Sequence, residues 1–139
     1  MLSSFWPSKL KTPYFELGSS FSEGLEQLAK LGPVCEKMHE HLGREVRVDT
    51  KQFSVAIYER NNRVSAVWYD DPAGRRTQKG IGRKIGLYLR RYTLTGTWRQ
   101  TLDNGYSLWW LNEQDERLLD YGLHCDVILI TDRRKFESD

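Results

Sequence analysis

Cysteine and proline are scarce in this chain of 139 residues, with two of the first and four of the second. Cys35 and Cys125 form no CxxC pair and no disulfide framework, which suits free thiols in a reducing compartment. The opening MLSSFWPSKLKTPYF contains no apolar stretch of signal-peptide length, and no apolar run is long enough to cross a bilayer. The expectation is a cytoplasmic protein with no membrane partner. An excess of one charge is also missing. The 21 basic and 19 acidic side chains leave a formal charge of +2, so only the local distribution of charge can point to a partner.

Motifs for small cofactors are absent as well. The glycines of GIGRKIG stand at 80, 82 and 86, a spacing that matches neither the dinucleotide fingerprint nor the phosphate loop, and this excludes a nucleotide fold. Cys35 and His39 are four residues apart and His124 adjoins Cys125, but no close second cysteine pair completes a zinc set. No metal and no cofactor are expected.

What the chain does have is apolar and aromatic mass. It is 39% hydrophobic, with five Trp, seven Tyr and five Phe, enough for one folded domain over residues 1–139. Residues 1–18 read as an arm whose Phe5, Trp6, Tyr14 and Phe15 pack it onto the body, and residues 132–139 as a charged tail. Ser20 and Glu23 form a capping box. Leu28, Leu31, Cys35, Met38 and Leu42 then keep one apolar face as far as Gly43, which predicts a helix, kinked or paired at Gly32-Pro33. From residue 44 the period changes. VRV, FSVAIY and VSAVWY read as strands, the last two joined by Asn61-Asn62. Beyond residue 96, TWRQTL and YSLWWL flank Asp103-Asn104-Gly105, a strong hairpin signal. ERLLDY is ambiguous between strand and helix, and CDVILI is a buried strand. The fold class is α+β: an antiparallel sheet of six or seven short strands, an N-terminal helix or helix pair, and one central basic helix. No internal repeat is visible.

That central helix draws the functional reading. Gly74 to Tyr92 carries Arg75, Arg76, Lys79, Arg83, Lys84, Arg90 and Arg91, and no acid. With Ile81 at the centre of one face, Ile85, Tyr88, Leu89 and Tyr92 cluster around it, while Lys79, Arg83 and Arg90 fall at roughly 160–200° on the other side. Gly82 and Gly86 are expected to let the helix approach the sheet closely. The seven basic residues form a candidate surface for an anionic macromolecule, nucleic acid first and an acidic protein surface second. The alternative is a small inhibitor or immunity-type protein that binds another protein through exposed aromatics. Alternation sends Trp68 and Tyr69 to opposite faces, and likewise Trp109 and Trp110, so Trp68, Trp98, Trp109 and Trp110 are the candidate contacts. Third comes metal-independent phosphodiester cleavage by His124 with Asp126, for which no second acid or base stands out. No catalytic residue is assigned, and a non-enzymatic binding domain is the leading expectation.

Overall fold

A computed structural model describes residues 9–72, 77–123 and 126–132. Helix α1 spans Phe21–Ala29, and four strands follow: β1 Cys35–His39, β2 Gly43–Asp49, β3 Ser54–Arg60 and β4 Arg63–Asp70. Helix α2, Gln78–Arg91, leads into four more: β5 Arg99–Asp103, β6 Ser107–Asn112, β7 Arg117–Gly122 and β8 Val127–Asp132. All eight strands form one antiparallel sheet in the order β1-β2-β3-β4-β8-β7-β6-β5. The class is α+β, as the sequence indicates, with eight strands.

The order reads the same from either edge. Each half is a helix followed by a four-strand meander, and the halves meet where β4 pairs with β8. Strands of the first half start at Cys35, Gly43, Ser54 and Arg63, and those of the second at Arg99, Ser107, Arg117 and Val127, a constant step of 63 or 64 residues. At the seam Trp68 faces Leu129, the middle pair of a five-pair register. The chain thus repeats a topology without repeating a sequence.

Local chemistry sets the ends of the elements. The Ser20 hydroxyl caps α1 at the Glu23 N–H, and that of Thr77 caps α2 at the Gly80 N–H. Asn61 and Asn62 both take positive φ, as a two-residue hairpin requires. The helix expected to continue past Gly32-Pro33 stops there instead. Gly32 lies at φ 156° and Pro33 has no N–H to give, so the chain turns and Cys35–His39 pairs with β2. Cys35 and Met38 therefore sit on an exposed edge strand rather than on a buried helix face, with Met38 75% exposed. Strand pairing overrides the apparent helical period.

Both helices pack on one face of the sheet. Phe21 and Leu28 of α1, with Ile85 and Tyr88 of α2, share a core with Val46, Val48, Ile57, Tyr69, Leu119, Tyr121, Ile128 and Ile130. Gly24 brings α1 close, since a Cβ there would stand 2.9 Å from Ile57 Cδ1. Gly82 and Gly86 do not play this part in α2, because a Cβ at either would meet nothing within 4 Å. Between α2 and β5–β6 lies a groove of about 550 Å³ bordered by Ile81, Leu89, Leu108 and Trp110. Residues 9–18, the described part of the arm, cross the helix face with Phe15 buried and Tyr14 exposed; Phe5 and Trp6 lie outside the described residues.

Candidate binding face

The basic helix has fewer outward charges than its sequence implies. Lys84 is fully buried: its ammonium bonds both carboxylate oxygens of Asp126 at 2.7 Å and also donates to the Asp71 carbonyl. Tyr121 donates to the same Asp126 carboxylate. Neither Lys84 nor Asp126 is therefore a surface group, and Asp126 lies in the turn before β8 at φ 50°, not on a strand. Arg91 is also turned inward. It donates to the Thr12 carbonyl at 2.8 Å and to the Thr12 hydroxyl at 3.0 Å, and lies over the rings of Tyr69 and Tyr88. Lys84 and Arg91 are corrected from ligand contacts to structural posts.

Lys79, Arg83 and Arg90 are exposed on α2 as expected. Arg75, Arg76 and His124 lie outside the described residues. Three arginines elsewhere among the described residues are held by acids: Arg44 pairs with Glu36 and Glu59, Arg47 with Asp49, and Arg99 with Glu113.

The other face of the sheet, free of helices among the described residues, is built differently. One cavity of about 400 Å³ is lined from Lys37 and His39 on β1 to Ser107 on β6. Six steps of about 4.8 Å would hold those strands about 29 Å apart in a flat sheet. Sharing one cavity requires the sheet to curl, with its helix-free face on the inside of the curve. The floor is Trp68, Val127 and Leu129 at the seam between the halves. Tyr58 is buried there beside Ala56 and Ala66.

Alternation along the strands puts the two members of each aromatic pair where the sequence indicates. Tyr69 and Trp110 pack into the helix-side core, while Trp68 and Trp109 face the trough side, Trp109 with 37% of its surface exposed. Trp98 is half-buried against the core and its indole N–H donates to the Thr93 hydroxyl at 2.7 Å. Of the four tryptophans singled out in the sequence, Trp68 and Trp109 thus share the open face, and Trp98 and Trp110 do not.

Four charged side chains line the trough: Lys37, Glu45, Arg47 and Asp120. The Tyr58 hydroxyl donates to Glu45 at 2.6 Å, and burial together with this bond raises the tyrosine's pKa far enough to keep it a donor. Lys37 lies 3.6 Å from Glu45. Arg47 donates to Asp49 at 2.7 Å and rests 4.5 Å above the Trp68 ring. Asp120 faces Trp109 on β6 and Leu129 on β8. Burial holds its carboxyl above the ordinary range, more than the nearby Trp109 and Ser107 donors lower it. Its Oδ1 is buried without a hydrogen-bond partner.

Sequence reasoning missed Asp120. In RLLDYG the alternation sends Asp120 to the face opposite Leu119 and Tyr121, but this is visible only once the segment is known to be a strand. His39, considered as a soft ligand, uses Nδ1 to accept the N–H groups of His41 and Leu42, both at 3.1 Å. Among the described residues no three His, Cys, Asp or Glu groups could hold a metal ion.

Fold and face together define a two-layer α+β domain, with helices on one side of a curled sheet and an open, aromatic-lined trough on the other. In comparisons with known proteins the chain matches no family model, no curated protein and no solved structure.

Proposed function

We propose that the chain is a non-enzymatic binding domain that docks a protein partner on the helix-free face of its sheet, in the manner of an inhibitor or immunity-type protein. The observation that carries this is the trough together with two tryptophans on its face of the sheet. Trp68 forms part of its floor and Trp109 stands partly exposed on the same face. The volume lies within the range of about 300–1,000 Å³ seen for binding pockets, and large amphipathic rings are the usual anchors of protein interfaces.

A second reading has its own observation. Lys79, Arg83 and Arg90 are exposed on α2, across the sheet from the trough, and favour contact with a nucleic-acid backbone.

One set of baits separates the two readings. Wild type, Trp109→Glu and Arg83→Ala/Arg90→Ala are used for capture from cells, and each captured protein is purified and its affinity measured directly. Docking on the sheet predicts a partner held by wild type and the arginine variant and weakened by about thirtyfold or more in Trp109→Glu. Equal affinity for wild type and Trp109→Glu sinks the docking reading. Binding of RNA or DNA that falls in Arg83→Ala/Arg90→Ala, with its salt dependence flattened by about two units of log–log slope, establishes the second reading instead.

A further inference from the structure

We infer that the trough receives a lysine or arginine side chain of the partner, with Asp120 as its counter-ion and Trp68, Val127 and Leu129 against its aliphatic stem. This rests on the docking reading and names the chemistry the face selects.

The charge pattern of the lining carries it. Glu45 is answered within the chain by Tyr58 and Lys37, and Arg47 by Asp49 and the Trp68 ring. Asp120 receives hydrogen bonds from the neutral Trp109 and Ser107 side chains, but of the four charges it alone has no opposite charge beside it. Among the described residues no lysine, arginine or histidine lies within ion-pair distance of it. Its cross-strand neighbours are the neutral Trp109 and Leu129, and one of its oxygens is buried with no donor. A half-buried carboxylate in such a setting bears a desolvation cost that an incoming cation offsets.

The nature of the cation follows from what surrounds it. A metal ion needs several hard or soft ligands, and Asp120 has no carboxylate, imidazole or thiolate cluster beside it among the described residues. An organic cation needs one counter-ion and an apolar wall for its stem, and the trough supplies both. The chain already shows the pairing in miniature, because Arg47 lays its guanidinium 4.5 Å from the Trp68 centroid on this same face. An anionic group would instead meet Asp120 and Glu45, while the two cations of the same lining, Lys37 and Arg47, already lie beside Glu45 and Asp49.

The test uses the whole chain, isotopically labelled, titrated with n-butylguanidinium chloride, the neutral isostere n-butylurea, and the blocked tripeptide acetyl-Gly-Arg-Gly-amide. The indole N–H resonances of Trp68 and Trp109 report the trough. Saturable shifts are expected with both cations and not with the urea, and Asp120→Asn should weaken the cations about tenfold or more while its own spectrum stays folded. Glu45→Gln serves as the control carboxylate and should weaken them less. Equal binding of cation and urea, no shift at either indole, or unchanged affinity in Asp120→Asn overturns the inference. Tighter binding of the tripeptide than of butylguanidinium identifies a protein side chain as the source, whereas equal or weaker binding identifies a free small cation and removes the partner from the inference. A captured protein lost in Trp109→Glu but indifferent to Asp120→Asn would leave docking standing and sink the cation.

Discussion

The two halves of the molecule share one topology and seat their helices by opposite means. α1 sits on the sheet through apolar contact: Phe21, Gly24 and Leu28 are buried, and the glycine leaves room only for the Ile57 and Val64 side chains beneath it. α2 is held by polar posts. Lys84 bonds Asp126 and Asp71, Arg91 bonds Thr12, and the Arg117 guanidinium donates to the Tyr92 carbonyl at the helix C-terminus at 2.6 Å. Around these posts, three tyrosine hydroxyls tie the helix and the sheet to the crossing arm. Tyr88 lies 2.8 Å from the Thr12 hydroxyl, Tyr69 donates to the Pro13 carbonyl at 2.8 Å, and Tyr92 donates to the Phe15 carbonyl at 2.9 Å. Apolar contact tolerates pH and fails when volume changes. Buried polar posts hold a helix at a fixed height and fail when a partner is removed or ionised.

The largest expected effect follows from the tyrosines. Burial raises Tyr69 to about 12 and Tyr88 higher still, and lifts Tyr92 well above the ordinary value near 10. Above pH 10 the unfolded chain loses these protons while the folded chain keeps them, so the unfolded state binds fewer and stability falls as pH rises. Stability from these groups is complete below pH 10 and is lost towards 12 and beyond. Three such groups together amount to about 4 kcal/mol per pH unit, enough to unfold a domain of ordinary stability within that window. Circular dichroism followed alongside the ring resonances of Tyr69, Tyr88 and Tyr92 checks it: ionisation of these three and loss of the fold should coincide, whatever the exposed Tyr106 does. Ionisation of these three near pH 10 with the fold intact would show that the cluster does not seat α2.

Next in size is the ammonium post. Lys84→Ala takes the ammonium away from the buried Asp126 carboxylate, and should cost about 3–5 kcal/mol in urea unfolding. Lys84→Met combined with Asp126→Asn should recover part of that loss, since asparagine tolerates the positive φ of residue 126 and no charge is left unpaired. The matching change under α1, Leu28→Ala, should cost about 2–5 kcal/mol through a cavity, and no polar substitution should recover it. If the double variant is no better than Lys84→Ala, the Lys84–Asp126 pair is not what distinguishes the two halves.

How much of this the sequence showed depends on whether the deciding contact was local. The cap at Ser20, the apolar stripe of α2 and the hairpin residues Asn61-Asn62 and Asn104-Gly105 act within a few positions, and each was legible. Strand β1 was not, because Leu31, Cys35, Met38 and Leu42 imitate a helical period and only pairing with β2 decides the matter. The roles of Lys84 and Arg91 were equally hidden. On a helical wheel both flank the stripe like solvent charges, and their partners lie 42 and 79 residues away. The trough was the least legible feature. It exists because β4 pairs with β8 and the sheet curls, so Trp68 joins Leu129 and Asp120 of the β7–β8 hairpin through a register that spans 61 residues.

The smallest effects are the sharpest measure of helix height. Gly24→Ala gains helix propensity of about 1 kcal/mol but puts a methyl 2.9 Å from Ile57 Cδ1 and 3.3 Å from Val64 Cγ2. Ile57 and Val64 are themselves fully buried, so neither can move aside without displacing the core. Overpacking of this kind costs about 1–3 kcal/mol, which leaves a net loss of about 1 kcal/mol. Gly82→Ala and Gly86→Ala gain the same propensity and meet nothing within 4 Å, so each should stabilise by about 0.5–1 kcal/mol. Urea midpoints of the three variants decide it, because the same substitution must change sign between the two helices. A loss of stability in Gly86→Ala would mean that α2 rests directly on β5 and β6, closing the groove and making the two halves alike.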